Sequence, residues 1–166
     1  MRIITPTVLA LSLLALAACS KPQWKEYDNP AWGFGVSFQG QPTVTETAAT
    51  ATVPHSVQAE LSQDGIDLVV IAIDSQAAGK SDQDLLADIP DEMVRGSGGT
   101  VKALVNTNLG TLVGRDITID HGADPTERAR VFVLHGRVYQ VITQTPQDGD
   151  ATIAPKFLDS FHLLSK

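Results

Sequence analysis

The stretch Val131-Phe132-Val133-Leu134-His135-Gly136-Arg137-Val138-Tyr139 decides how this chain folds. Its first four residues are all apolar. Successive side chains of a strand point to opposite faces, so a strand here needs cover on both sides of its sheet. His135-Gly136 then reads as a tight turn, which joins strands over Glu127–Leu134 and Arg137–Thr145 into a hairpin. Arg130 and Gln140 are the polar exceptions within that hairpin.

Working outward toward the C-terminus, Asp148-Gly149-Asp150 closes the sheet region, and a short helix starts near Thr152 or Ile153. That start places Pro155 in the first turn, where its missing N–H costs little. Ile153, Phe157 and Phe161 line one helical face, joined by Ala154 and Leu158. Toward the N-terminus, Leu112–Ile119 and Val101–Asn106 read as strands. Before them Ser81 opens a longer helix, with Asp84 three residues on in an arrangement like a capping box. Leu85, Ile89 and Met93, with Leu86 beside them, give it an apolar face. Pro90 is expected to kink or restart this helix, and Gly96-Ser97-Gly98-Gly99 ends it. Val57–Leu61 and Asp67–Ile73 read as strands around a turn at Gln63-Asp64-Gly65. Thr43–Val53, rich in Thr and Ala, is either a weak edge ribbon or a mobile loop. The folded part is expected to begin near Trp32, with Gly33–Phe38 alternating large and small residues before a turn at Gly40-Gln41-Pro42. The chain shows no internal repeat.

At the other end, Ile3–Ala18 carries no charge, follows Arg2 and finishes in small residues. It falls short of the about 20 apolar residues that a spanning helix needs, but it fits a signal-peptide core. Leu16-Ala17-Ala18-Cys19 resembles the lipobox of bacterial lipoproteins. That resemblance implies cleavage before Cys19, diacylation of its thiol and acylation of the new amino terminus, with Ser20 favouring outer-membrane sorting. The expected organisation is a signal peptide over 1–18, a lipid-anchored tether over 19–31 and one domain over 32–166. Residues Ser20–Pro30 read as polar and extended, since Pro22 and Pro30 discourage regular structure. Cleavage removes Arg2 and no acid, so the formal net charge moves from −7 to −8 and 148 residues remain. Such a chain does not seek nucleic acid or anionic headgroups non-specifically. Cys19 is the only cysteine, so the domain must rest on its apolar core without a disulfide.

Trp32–Pro42, Leu112–Ile117, Arg128–Tyr139 and Phe157–Phe161 resemble, in that order, the opening strand and turn, middle strand, central hairpin and closing helix of bacterial PsbP/Mog1-like (DcrB-like) domains. The resemblance implies an α+β fold. Its form would be an α-β-α sandwich with a twisted, mainly antiparallel sheet covered by helices on both faces. Pro90 departs from it, because the family's helix is usually uninterrupted. No functional surface of that family can be matched here residue by residue, so fold alone is carried over.

Catalytic signatures do not emerge. His55, His121, His135 and His162 are scattered, and none sits in an H-E-x-x-H pattern; His135 reads as a turn residue. Ser97 and Ser160 lack a G-x-S-x-G context, and Gly96–Gly99 lacks the Lys-Ser/Thr ending of a phosphate loop. Asp116, Asp120 and Asp124 are weak candidates for an oxygen-rich cation site around His121. Asp116 and Arg115 are expected to pair. Trp32 and Tyr139 read as core, while Trp24 lies in the tether near headgroups. The reading that follows is a non-enzymatic, cofactor-free binding or assembly module of the cell envelope. It would be membrane-anchored through Cys19, face the periplasm and dock an envelope protein. The alternative is a small-molecule or metal-handling protein using the acidic loop 116–124.

Overall fold

A computed structural model of the protein describes residues 23–77, 79–122 and 125–165. The hairpin is where the sequence places it. Strands β8 (Thr126–Leu134) and β9 (Arg137–Thr145) pair antiparallel, with Phe132 opposite Tyr139. His135 and Gly136 both take left-handed backbone, with φ of 52° and 76°, as a two-residue turn between twisted strands requires.

Around this hairpin lies a seven-stranded sheet whose pairings are all antiparallel. It is formed with β3 (Thr43–Thr47), β4 (Ser56–Gln63), β5 (Ile66–Asp74), β6 (Thr100–Leu109) and β7 (Leu112–Asp120), in the order β3-β4-β5-β9-β8-β7-β6. Thr43–Thr47 is therefore an edge ribbon, and all five of its residues are exposed. The other edge, β6, carries Val101, Leu104 and Val105 exposed. A second sheet of three strands joins β1 (Lys25–Asn29), β2 (Phe34–Phe38) and the two-residue β10 (His162–Leu163), with β2 in the middle.

β1 corrects the expectation of an extended tether through Pro30 and a fold starting near Trp32. Its polar residues give no apolar alternation, so its partner makes it a strand: five register pairs run from Lys25 opposite Phe38 to Asn29 opposite Phe34. Tyr27 rests its ring 6.0 Å from Phe38 and 6.2 Å from Phe34. Trp24 likewise packs on the core, with Lys156 Nζ 4.9 Å from its ring centre.

Helix α1 (Asp82–Ser97) begins at Ser81, whose hydroxyl and backbone exchange hydrogen bonds with Asp84 in a complete capping box. Those bonds from Ser81 hold the Asp84 carboxyl below the usual carboxylate range. Asp82, in the first turn, accepts from the N–H groups of both His135 and Gly136 at 2.8 Å, fastening the helix to the hairpin turn. Pro90 does not break this helix, which continues to Ser97 and is capped by Gly98. Leu85, Leu86, Ile89 and Met93 are buried on both sides of the proline, and that packing outweighs one lost backbone bond. An interior proline costs about 3 kcal/mol against alanine, while alanine forfeits two buried methylenes worth about 0.8 kcal/mol each. Pro90→Ala is thus expected to stabilise the protein by roughly 1 kcal/mol, seen as a higher urea midpoint at constant slope. A lower midpoint would show that the ring's packing matters more than the bond it removes.

Two clusters of buried residues divide the hairpin between them. Ala129, Val131, Val133 and Val138 pack with the apolar face of α1 and with Ile117 and Ile119. Phe132, Tyr139 and Val141 pack with β2, with alternate residues of β4 and β5, and with helix α2 (Ile153–Ser160). Phe161 closes the second cluster, its ring 5.8 Å from Phe132 at an interplanar angle of 5°. Gly114 makes room for this stack: a Cβ there would stand 2.5 Å from the Phe132 ring. Ser160 ends α2 and does more, since its hydroxyl donates to Phe157 O at 2.7 Å and accepts from Ser37 N–H at 3.0 Å. That chain bolts the helix to β2.

Candidate functional site

Helix α1 packs on β6, β7 and β8 and leaves the neighbouring part of the sheet, on β4, β5 and β9, beside it rather than beneath it. The strands place alternate residues there. Val69, Ile71 and Ile142, each half-buried, form an apolar floor with Met93 of the helix. Glu60, Asp67, Glu92 and Glu127 surround this floor, together with Gln140 and Gln144, in a cleft of about 450 Å³. Among the described residues, no Lys, Arg or His lines it. A smaller groove of about 240 Å³ continues along α1, sharing Glu92 and Gln140, to the Lys80–Asp88 ion pair.

Glu127 is the unusual member, a carboxylate only 3% exposed. Its Oε2 lies 3.1 Å from His121 Nε2 and accepts from Gln144 Nε2 at 3.2 Å, which offsets the cost of burying it. Glu60 is held by Gln58 at 2.7 Å and Ser62 at 3.2 Å. A concave, acidic, apolar-floored surface favours a ligand with a cationic head on a hydrocarbon stem.

The candidate residues named from the sequence lie elsewhere. Asp116 does not pair with Arg115; it faces its cross-strand partner Arg130 at 3.2 Å and Arg128 at 3.5 Å. Neighbours along a strand point to opposite faces, which separates Arg115 from it. Arg130 also reaches Asp159 at 2.8 Å and the Leu158 carbonyl at 3.1 Å, so it joins β7, β8 and α2. The Gly122 N–H and then Lys102 hold the Asp120 carboxyl below its ordinary range. Asp124 lies outside the described residues, as does Cys19. Ser97 donates to Met93 O at 2.9 Å. Trp32 and Tyr139 are buried, and Trp32 is enclosed by Arg137 4.5 Å from its ring centre and by the His55 ring at 4.6 Å. Tyr139 donates to Trp32 O at 3.1 Å, and Arg137 Nε to Asp74 at 2.6 Å. That bond to Asp74 raises the Arg137 pKa further above its already high value. Among the described residues, no helix is long and apolar enough to cross a membrane.

No protein-family model matches the sequence, and no curated protein does. Solved structures do match. The cyanobacterial PsbP (CyanoP) of Synechocystis sp. PCC 6803 aligns with a TM-score of 0.59 at 12% identity, over 91% of this chain and 98% of that one. The fold is PsbP-like. A crystal structure from Bacteroides thetaiotaomicron VPI-5482 aligns with a TM-score of 0.47 at 12% identity, over 86% of this chain and 49% of that one. The chain spans about half the length of the latter. In its PsbP-like form the chain is mostly antiparallel sheet with two helices, and identity this low carries the fold without a function.

Proposed function

We propose that this protein is a lipid-anchored cell-envelope module that binds a protein partner without transforming it, and that the cleft beside α1 receives that partner. The anchor rests on Leu16-Ala17-Ala18-Cys19, with Ser20 directing the molecule to the outer membrane and the domain facing the periplasm. An α-β-α layering is supported by the two cores, one holding α1 and the other α2, with alternate residues of β8 and β9 divided between them. The observation that carries the binding reading is the cleft itself: four carboxylates and, among the described residues, no cation around an apolar floor. A partner's Lys or Arg side chain fits that chemistry, laying its methylenes on Val69, Ile71 and Ile142 while its charge meets the acids.

A photo-crosslinking residue at Glu92 is expected to trap one envelope protein in cells. Glu60→Lys combined with Asp67→Lys should lower that yield by about tenfold, the effect of roughly 1.4 kcal/mol in binding. The same protein trapped equally well from Val113 on the edge hairpin, or indifference to charge reversal, would reject the cleft as the docking site.

A further inference from the structure

We propose that Glu26, Asp28 and His162 form a binding site for a divalent transition-metal ion of the zinc class, on the small sheet and independent of the cleft. Asp28 and His162 are both register partners of Gly35, one from each side of the central strand β2. Glu26 stands two residues before Asp28, on the same face of β1. The ligand atoms of the three side chains all lie within 4.8 Å of one another.

Gly35 is what permits this. A Cβ there would fall 2.5 Å from Asp28 Oδ1 and 2.6 Å from His162 Nε2, so these two groups lean over the place a side chain would fill. The imidazole is also oriented for the task. Its Nδ1 lies 3.1 Å from the Ser160 carbonyl oxygen, which can only accept, so Nδ1 carries the hydrogen. Nε2 of the neutral ring is then the free lone pair, and it faces the two carboxylates. Fixing one ring nitrogen on a backbone carbonyl is the usual support for a metal-bound histidine.

The spacing of His162 and Glu26 agrees with a shared ion. His162 Nε2 and Glu26 Oε1 are 3.5 Å apart, longer than the about 2.7–2.9 Å of a charged hydrogen bond. Two ligands each about 2.1 Å from one ion at a tetrahedral angle stand about 3.4 Å apart. One imidazole and two carboxylates suit zinc and its neighbours better than calcium or magnesium, which take oxygen. Such an ion would leave a fourth position open and would tie β1 to β10 across β2. His162 lies 134 positions beyond Asp28, so no local motif announces the site.

Titration of the full-length protein in detergent micelles with zinc chloride should show one equivalent bound and a rise in melting temperature. The ring nitrogens of His162, and not those of His55, His121 or His135, should shift in NMR spectra. Asp28→Asn and His162→Gln, both at the surface, should weaken binding by roughly 10- to 100-fold, and Gly35→Ala should also weaken it. Asp28→Asn preserves shape and serves as the control if His162→Gln or Gly35→Ala unfolds the protein. Absence of binding at millimolar zinc would overturn the proposal. So would zinc binding that survives Asp28→Asn and His162→Gln, which would mark an adventitious histidine site. Calcium bound in preference to zinc would overturn it as well.

Discussion

Phe161→Ala is expected to lower the unfolding free energy by about 3–5 kcal/mol, the range for removing a large aromatic side chain from a packed core. The reason lies in where the ring sits. Phe161 is buried and follows α2 directly, yet it touches three strands: its ring centre is 6.1 Å from Phe34 of β2, 5.8 Å from Phe132 of β8 and 5.9 Å from Tyr139 of β9. Each such pair contributes about 0.5–1.5 kcal/mol beyond its buried area. Truncation therefore empties the joint between the small sheet, the large sheet and the last helix at once. Domains hold about 5–15 kcal/mol in total, so this single change removes a large share. Urea unfolding with an unchanged slope and a much lower midpoint is the expected result. A loss below about 1 kcal/mol would mean that neighbouring rings close the space and that the joint is elsewhere.

Cys19→Ala is expected to abolish incorporation of labelled palmitate completely. The thiol is the chain's only one, and in the lipobox reading it is the point at which the diacyl group is attached. A single acyl chain binds a bilayer marginally and reversibly, at about 0.8 kcal/mol per buried methylene, whereas several together hold a protein effectively for good. Mass spectrometry of the unsubstituted protein should find a mature chain starting at Cys19 and carrying acyl mass. A mature chain beginning at any other residue, or one without that mass, would refute the anchor.

How much of this was legible beforehand follows from the range of the forces involved. The hairpin at His135-Gly136, the capping box at Ser81 and the alternating strands are local patterns, written within a few neighbouring residues. β1 was not legible, because Lys25–Asn29 becomes a strand through the free edge of β2 rather than through its own periodicity. Pro90 misled for the converse reason: local chemistry forbids the helix, and burial of Leu85, Ile89 and Met93 overrides it. Among candidate sites, Asp116 was misassigned to Arg115, since contiguity in a strand separates side chains while register joins Asp116 to Arg130. The cleft escaped notice because its acids come from four different elements, and only the position of α1 decides which part of the sheet stays open. Alternating polar residues on β4, β5 and β9 (Glu60, Asp67, Gln140, Gln144) were the one available signal. Each reads singly as solvated surface.

The three-stranded sheet also sets a load path. A pull on the chain ahead of Lys25 meets five residue pairs between β1 and β2 before it reaches any strand of the large sheet. β1 can then peel away as a mechanical fuse, lengthening the leash by about 17 Å; this uncovers the Phe34 and Phe38 rings on which Tyr27 rests and leaves the cluster under α1 untouched. An ion held between Glu26, Asp28 and His162 would be the clasp on that fuse, making the force needed to free β1 depend on metal supply.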